Sequence, residues 1–150
     1  MSNSSNGYEI GQTFVSSGRT ITETDLVNFV GFSGLTLPIF RDEEYSKKNS
    51  IYGRRICPGF LAVAIAAGMI EEAMDMTHLV AALGFDALRF YKPVFPGDTI
   101  HVSIEILSVR ATKNRSDRSV VEGRVSVLNQ GDSVPVDFNA TWLFSQSAAA

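Results

Sequence analysis

The chain has 150 residues, of which 45% are hydrophobic and 19% charged, and its net charge is −3. That is the length and balance of one soluble globular domain with enough chain to bury a core. The charge offers no footing for a nucleic-acid partner, the lone Cys57 excludes an intrachain disulfide, and no apolar run approaches the ~20 residues of a membrane span.

Residues 1–11 are polar and rich in Ser and Asn, and read as a flexible lead-in without a charged-then-apolar signal pattern. A cytoplasmic location is expected. Thr13 to Thr20 predicts a first short strand. Thr22-Glu23-Thr24-Asp25 then has the spacing of a helix cap, with acidic groups near the positive helix end. Leu26, Phe29 and Val30 recur at helical spacing, so a short amphipathic helix should end near Gly31 to Gly34.

Residues 33–57 read as a long irregular segment, interrupted by Pro38, with one or two helical turns over 42–48. Long structured loops in compact domains often carry function. Pro58 then opens a helix that runs to Ala73. Its residues are apolar all round, which predicts burial on most sides.

Beyond a loop through His78, Ala87 to Tyr91 is a strand candidate, punctuated by Pro93, Pro96 and Gly97-Asp98. Ile100, Val102, Ile104 and Ile106 alternate with polar residues, as do Val121, Val125 and Val127. Between these runs Lys113-Asn114-Arg115-Ser116-Asp117-Arg118 reads as a hairpin tip, either a solvated turn or a landing point for a phosphate-bearing ligand. Asn129-Gln130-Gly131-Asp132 is a turn, and Val134, Val136, Phe138, Ala140, Trp142 and Phe144 share one face of a last strand. Such alternation marks antiparallel strands with one covered face. The expected fold is α+β, one domain over 12–145 with a tail at 146–150, its curved antiparallel sheet wrapped around the buried helix.

Several phrases carry a family resemblance. Ser33-Gly34-Leu35-Thr36-Leu37-Pro38-Ile39-Phe40 resembles the S-G-D-x-N-P-x-H segment of MaoC-like (R)-specific enoyl-CoA hydratases. Asp42-Glu43-Glu44-Tyr45 with Lys47-Lys48 is similar to the short helix after that segment. Tyr52-Gly53-Arg54-Arg55-Ile56-Cys57-Pro58-Gly59 is similar to the entry into the central helix. Leu83 to Phe90 and Lys92 to Thr99 are similar to the strand and turn that follow. The resemblance implies a hotdog fold and a dimer as the smallest working unit. It also implies an acyl-thioester ligand on CoA or a carrier protein, and no cofactor or metal. Its usual reaction adds water to a trans-2-enoyl thioester, or removes it.

In that family an Asp and a His activate the water. Here Leu35 stands for the Asp, Leu37 for the Asn and Phe40 for the His, and none of the three carries a proton. Pro58 also replaces a His common before the helix glycine. What remains is Gly59, whose backbone N–H at the helix start can meet the thioester oxygen. An apolar pocket lined by Leu35, Leu37, Phe40, Cys57 and Phe60 is expected beside it.

Two residues could substitute as acid or base. Asp42 matches an acidic position of the family, or caps the short helix that follows. Cys57 could act as a thiolate, or be an inert packed thiol. Ser33 and Thr36 can hold water but are poor bases unaided. Tyr45 and Tyr52 read as packing residues, and His78 and His101 as surface or interface groups. Arg54 and Arg55 either contact a phosphate or brace the loop. The readings are therefore a hydro-lyase-type enzyme with altered acid–base groups that performs a dehydration, isomerisation or cyclisation step as a homodimer, a non-catalytic subunit in a heterodimer with a related hotdog chain that holds the Asp and His, or a thioester-binding module working alone.

Overall fold

The computed structural model describes residues 7–146. Among them the elements run β1 (Thr13–Val15), β2 (Arg19–Thr20), α1 (Glu23–Ser33), α2 (Pro38–Arg41), α3 (Glu43–Asn49), α4 (Gly59–Ala73), β3 (Leu79–Phe90), β4 (Thr99–Ala111), β5 (Arg118–Leu128) and β6 (Val136–Ser145). The sheet is antiparallel in the order β1-β4-β5-β6-β3, and β2 also pairs with β4. Helix α4 packs on its inner face.

The alternation of the sequence sets that inner face. Ile100, Val102, Ile104 and Ile106 of β4 meet Val121, Val125 and Val127 of β5 and Phe138, Ala140, Trp142 and Phe144 of β6, all buried. Leu61, Ala62, Val63, Ile65, Ala66, Met69 and Ile70 of α4 face them. The outward positions are mostly polar, and Arg124, Asp137 and Asn139 are hydrogen-bonded there.

The cap is as read. The Thr22 hydroxyl accepts from Asp25 N–H, and the Thr22 N–H donates to the Asp25 carboxylate. That second bond is the main cause holding the Asp25 carboxyl below its ordinary value. A depressed carboxylate contributes stability that is present above its unfolded pKa and lost as pH falls through the folded one. Thr22→Ala should cost about 1 kcal/mol, measured by urea unfolding at neutral pH. Helix α1 ends at Gly34, whose φ of 72° lies in the left-handed region that glycine enters without strain.

Several expectations are corrected. Thr13 to Thr20 is two strands, because the Ser16 hydroxyl takes the Val102 N–H that a continuing strand would have taken, and the chain bends there. Pro38 opens α2 as its first residue, where its missing N–H costs nothing. Strand β3 begins at Leu79, well before Ala87. Register shifts and a φ of 50° at Ala87 break its alternation, which hides it from a period-two reading. The lead-in is anchored at its end: Tyr8 is buried, packs on Phe14 and Phe144, and donates to the Asp75 carbonyl. Residues 1–6 and 147–150, which hold most of the lead-in and tail, lie outside the described residues.

Helix α4 is not covered on all sides of the protomer. Phe60, Ala64 and Gly68 form an exposed stripe at helical spacing, and Phe60 is 57% exposed. Its apolar character all round therefore exceeds what one sheet can cover.

Candidate functional site

The start of α4 is positioned by the segment before it. Ile56 N–H donates to the Ile39 carbonyl, and Cys57 N–H to the Val94 carbonyl at 2.8 Å. Cys57 also bridges Val94 in antiparallel fashion. These bonds hold Pro58 and Gly59 beside the connection from β3 to β4. Pro58 caps the helix without a side-chain bond, and Gly59 is its first residue. Its N–H has no acceptor within the helix and sits at the positive end of the helix dipole. A cavity of about 270 Å³ opens there, with Tyr52, Cys57, Gly59, Phe60, Phe90 and Lys92 in its wall.

The bare Cα of Gly59 lies against an aromatic ring. A Cβ at this position would lie 2.4–2.9 Å from three ring atoms of Phe90, so only glycine lets that ring stand where it does. Phe60 meets the same ring edge-on, with centroids 5.9 Å apart. The two rings form the outer lip of the cavity.

The residues at the dyad positions do not share this cavity within one protomer. Phe40 and Thr36 line a second cavity, of about 420 Å³, with Val27, Val30, Arg41 and Arg55. Leu35 lies at the surface and Leu37 is 62% exposed. The cause is local. Gly34 closes α1, Thr36 N–H turns back to the Gly34 carbonyl, and α2 packs Phe40 beside α1. Of the expected pocket lining, Cys57 and Phe60 stand with Gly59, while Leu35, Leu37 and Phe40 do not.

The two substitute acid–base candidates are occupied otherwise. The Asp42 carboxylate accepts from Tyr45 N–H at 2.8 Å and caps α3. Cys57 is 3% exposed. Burial, with smaller contributions from Asp98, Glu23 and Asp25, pushes its thiol up to about 12. It is therefore a neutral thiol at physiological pH. The native protein should react with a thiol-specific disulfide reagent only slowly at neutral pH and quickly once unfolded in urea. Rapid labelling of the folded protein would contradict this placement.

The other singled-out residues brace the scaffold. Arg55 pairs with Glu43 at 2.8 Å and Glu23 at 2.9 Å, tying α3 to α1. The hydrogen bond with Glu43 is the first cause that raises the Arg55 pKa and lowers that of Glu43. Arg54 lies over the Phe95 ring and donates to the Pro96 carbonyl. Tyr52 meets Phe95 edge-on. Ser33 donates to the Phe29 carbonyl. Arg115 at the β4–β5 tip pairs with Asp117. His78 precedes β3, with a buried Nδ1 that finds no partner among the described residues. His101 lies within β4, half-buried.

Sequence reading missed Phe90, Tyr91 and Lys92 as parts of the site. The strand candidate Ala87 to Tyr91 held Phe90 and Tyr91. Their meeting with the start of α4 is a contact between elements distant in sequence, which no local pattern reveals. Tyr91 turns outward and donates to Asp137, which Arg124 holds at 2.6 Å. Among the described residues lining the Gly59 cavity, the proton-bearing side chains are Tyr52, Cys57, Tyr91 and Lys92, with no carboxylate and no imidazole.

Comparison with known proteins gives this scaffold its kin. The family model described as MaoC like domain matches residues 5–130. Protein MaoC of Klebsiella aerogenes is 32% identical over 139 residues, covering 93% of this chain and 37% of that protein. The chain thus spans little more than a third of that relative's length. The (R)-specific enoyl-CoA hydratase of Rhodospirillum rubrum is 24% identical over 119 residues, covering 73% of this chain and 81% of that one. A solved structure described as a monoamine oxidase regulatory protein from Archaeoglobus fulgius superposes with a TM-score of 0.85 at 29% identity, covering 95% of this chain and 94% of that one. Solved neighbours include hotdog folds, and the α+β hotdog architecture implied by the resemblance is the one observed. The protein accordingly belongs to the family of MaoC-like domains.

Proposed function

We propose that this protein is an acyl-thioester-binding hotdog protomer of the hydratase and dehydratase lineage that lacks an acid–base pair of its own. It holds the thioester oxygen at the Gly59 N–H, where a preorganised donor and the helix dipole meet developing negative charge. The buried wall formed by Cys57, Ala62, Val94 and Val136 takes the first carbons of the acyl group. Water activation then depends on a second hotdog chain that carries the missing groups. The carrying observation is the wall itself: a helix N-terminus in an apolar cavity, with no carboxylate or imidazole among the described lining residues. A relative bearing the name of an (R)-specific enoyl-CoA hydratase supports the ligand class.

Pairing has its own support. Strand β3 lies at the sheet edge, and Val80, Leu83, Phe85 and Phe90 on it are each at least 42% exposed. Together with the exposed stripe of α4 they make an apolar flank of the kind a second hotdog chain covers. A second reading keeps the protein self-sufficient, with Lys92 or Tyr52 on the cavity wall as the proton carrier. Both stand in the cavity wall, unlike Asp42, and neither is a thiol held neutral by burial, as Cys57 is.

The test joins sedimentation equilibrium with calorimetry. A dimer at low micromolar concentration that binds butyryl-CoA more tightly than free CoA is expected. A folded monomer, or equal affinity for CoA and butyryl-CoA, would contradict the proposal.

A further inference from the structure

We propose that the second cavity, between α1 and α2, is a ligand site in its own right and takes a medium-chain monocarboxylate, with the carboxylate on Arg41 and the alkyl chain along Val27, Val30 and Phe40. This cavity of about 420 Å³ shares no wall residue with the Gly59 cavity or with the apolar flank of β3 and α4. Its floor is a face of α1, where Val27, Val30 and Gly31 stand at i, i+3 and i+4 and Gly34 closes the helix. Gly34 is glycine for a backbone reason, its φ of 72°. Gly31 has no such reason. It lies inside the helix, outside the left-handed region, and a Cβ on it would meet nothing within 4 Å. Glycine inside a helix costs stability that alanine would not. What the missing side chain leaves is open space over the floor of the cavity.

The walls match the two ends of an amphiphile. Val30 is 9% exposed and Phe40 packs against the core, so one part of the wall is apolar and shielded from water. Two guanidinium groups complete it, and they differ. Arg55 is neutralised by Glu23 at 2.9 Å and Glu43 at 2.8 Å. Arg41, the last residue of α2, has neither an ion pair nor a hydrogen-bond acceptor for its guanidinium among the described residues. No carboxylate stands in the wall, among the described residues, to answer that charge. A planar guanidinium takes a carboxylate through two parallel charge-assisted hydrogen bonds. The complementary ligand is thus anionic at one end and apolar at the other. An inorganic anion has no stem for Val27, Val30 and Phe40, and Glu23 and Glu43 on Arg55 oppose a multivalent charge. A single carboxylate on an alkyl chain satisfies both parts of the wall, in a cavity of the size that small-molecule sites have.

The experiment compares octanoate, acetate and octanol by calorimetry on the full chain in its native oligomeric form, with amide shifts of the ¹⁵N-labelled protein locating each ligand. Octanoate should bind at least ~30-fold more tightly than acetate, which lacks the stem. It should bind about tenfold more tightly than octanol, which lacks the charge. The amides from Val27 to Thr36 should move and that of Gly59 should stay. Arg41→Met keeps a long apolar side chain and should lose the preference for octanoate over octanol, while Arg41→Lys should fall between. Gly31→Leu should block octanoate and octanol alike while the urea midpoint holds or rises, since leucine is the better helix former and its Cβ meets no neighbour. Equal affinity for octanoate and octanol, undiminished octanoate binding in Arg41→Met or Gly31→Leu, or shifts centred on Gly59 would overturn the site. Failure of the wild type to bind octanoate would overturn it as well and would leave the thioester reading at Gly59 standing.

Discussion

Crotonyl-CoA offered to the isolated protein should be hydrated at least ~10²-fold more slowly than the typical enzyme turnover of ~10 s⁻¹. General acid and base groups are each worth ~10²–10⁴ in rate. The family places both in the segment from Ser33 to Phe40, where this chain has Leu35, Leu37 and Phe40. The two substitutes expected from the sequence are engaged otherwise, the Asp42 carboxylate in capping α3 and the Cys57 thiol in a burial that holds it neutral. On the proposed reading the helix N-terminus alone stabilises an oxyanion, so the rate should exceed that in water without reaching enzyme values. Loss of enoyl-thioester absorbance follows the reaction. Turnover near ~10 s⁻¹ would show that the chain carries its own acid and base, and Lys92→Met and Tyr52→Phe would then identify which side chain serves.

Phe138→Ala should be the most destabilising of the simple core substitutions, by about 3–5 kcal/mol. Phe138 is fully buried in the middle of β6, paired with Val125 of β5 and stacked at 4.8 Å on Phe85 of the edge strand β3. Removing its ring leaves a cavity between the sheet layer and α4 that neighbouring strands, hydrogen-bonded on both sides, cannot close. Urea unfolding at neutral pH should show a midpoint lower by more than about 1 M with the slope unchanged. A loss below about 1 kcal/mol would mean that β3 and β6 are not packed as described. Cys57 should remain slow to label in this variant when folded, which separates loss of core packing from loss of the site.

The parts of the fold that follow from local periodicity were legible. Strands β4, β5 and β6 alternate cleanly because one face of each is buried and the other is wet. The Thr22 cap, the Gly34 stop and the start of α4 at Pro58-Gly59 follow from backbone chemistry that each residue type imposes. Strand β3 was mostly illegible, since its register shifts let side chains from both faces appear in succession. The helix α4 is buried on most sides as expected, but its exposed stripe was not legible. Composition reports that a helix face is apolar, but not whether the same protomer covers it.

Of the candidate site, the helix end at Gly59 could be named from the sequence and the cavity walls could not. Gly59 stood out because Pro58-Gly59 opens an apolar helix and because the family pattern places a thioester-oxygen donor there. Its neighbour Phe90 did not, because that contact joins two elements far apart in the chain. Leu35, Leu37 and Phe40 were grouped with Gly59 through the family pattern. The turn at Gly34 to Thr36 and the short α2 carry them to the surface and to a second cavity.

The most direct measurement is the amide resonance of Gly59 in the ¹⁵N-labelled protein during titration with butyryl-CoA and, separately, with free CoA. A thioester oxygen accepting from that N–H should move the Gly59 proton resonance downfield with butyryl-CoA and leave it in place with CoA. Movement confined to residues around Phe40, Arg41 and Arg55, with Gly59 still, would put the ligand in the other cavity and contradict a thioester site at the start of α4.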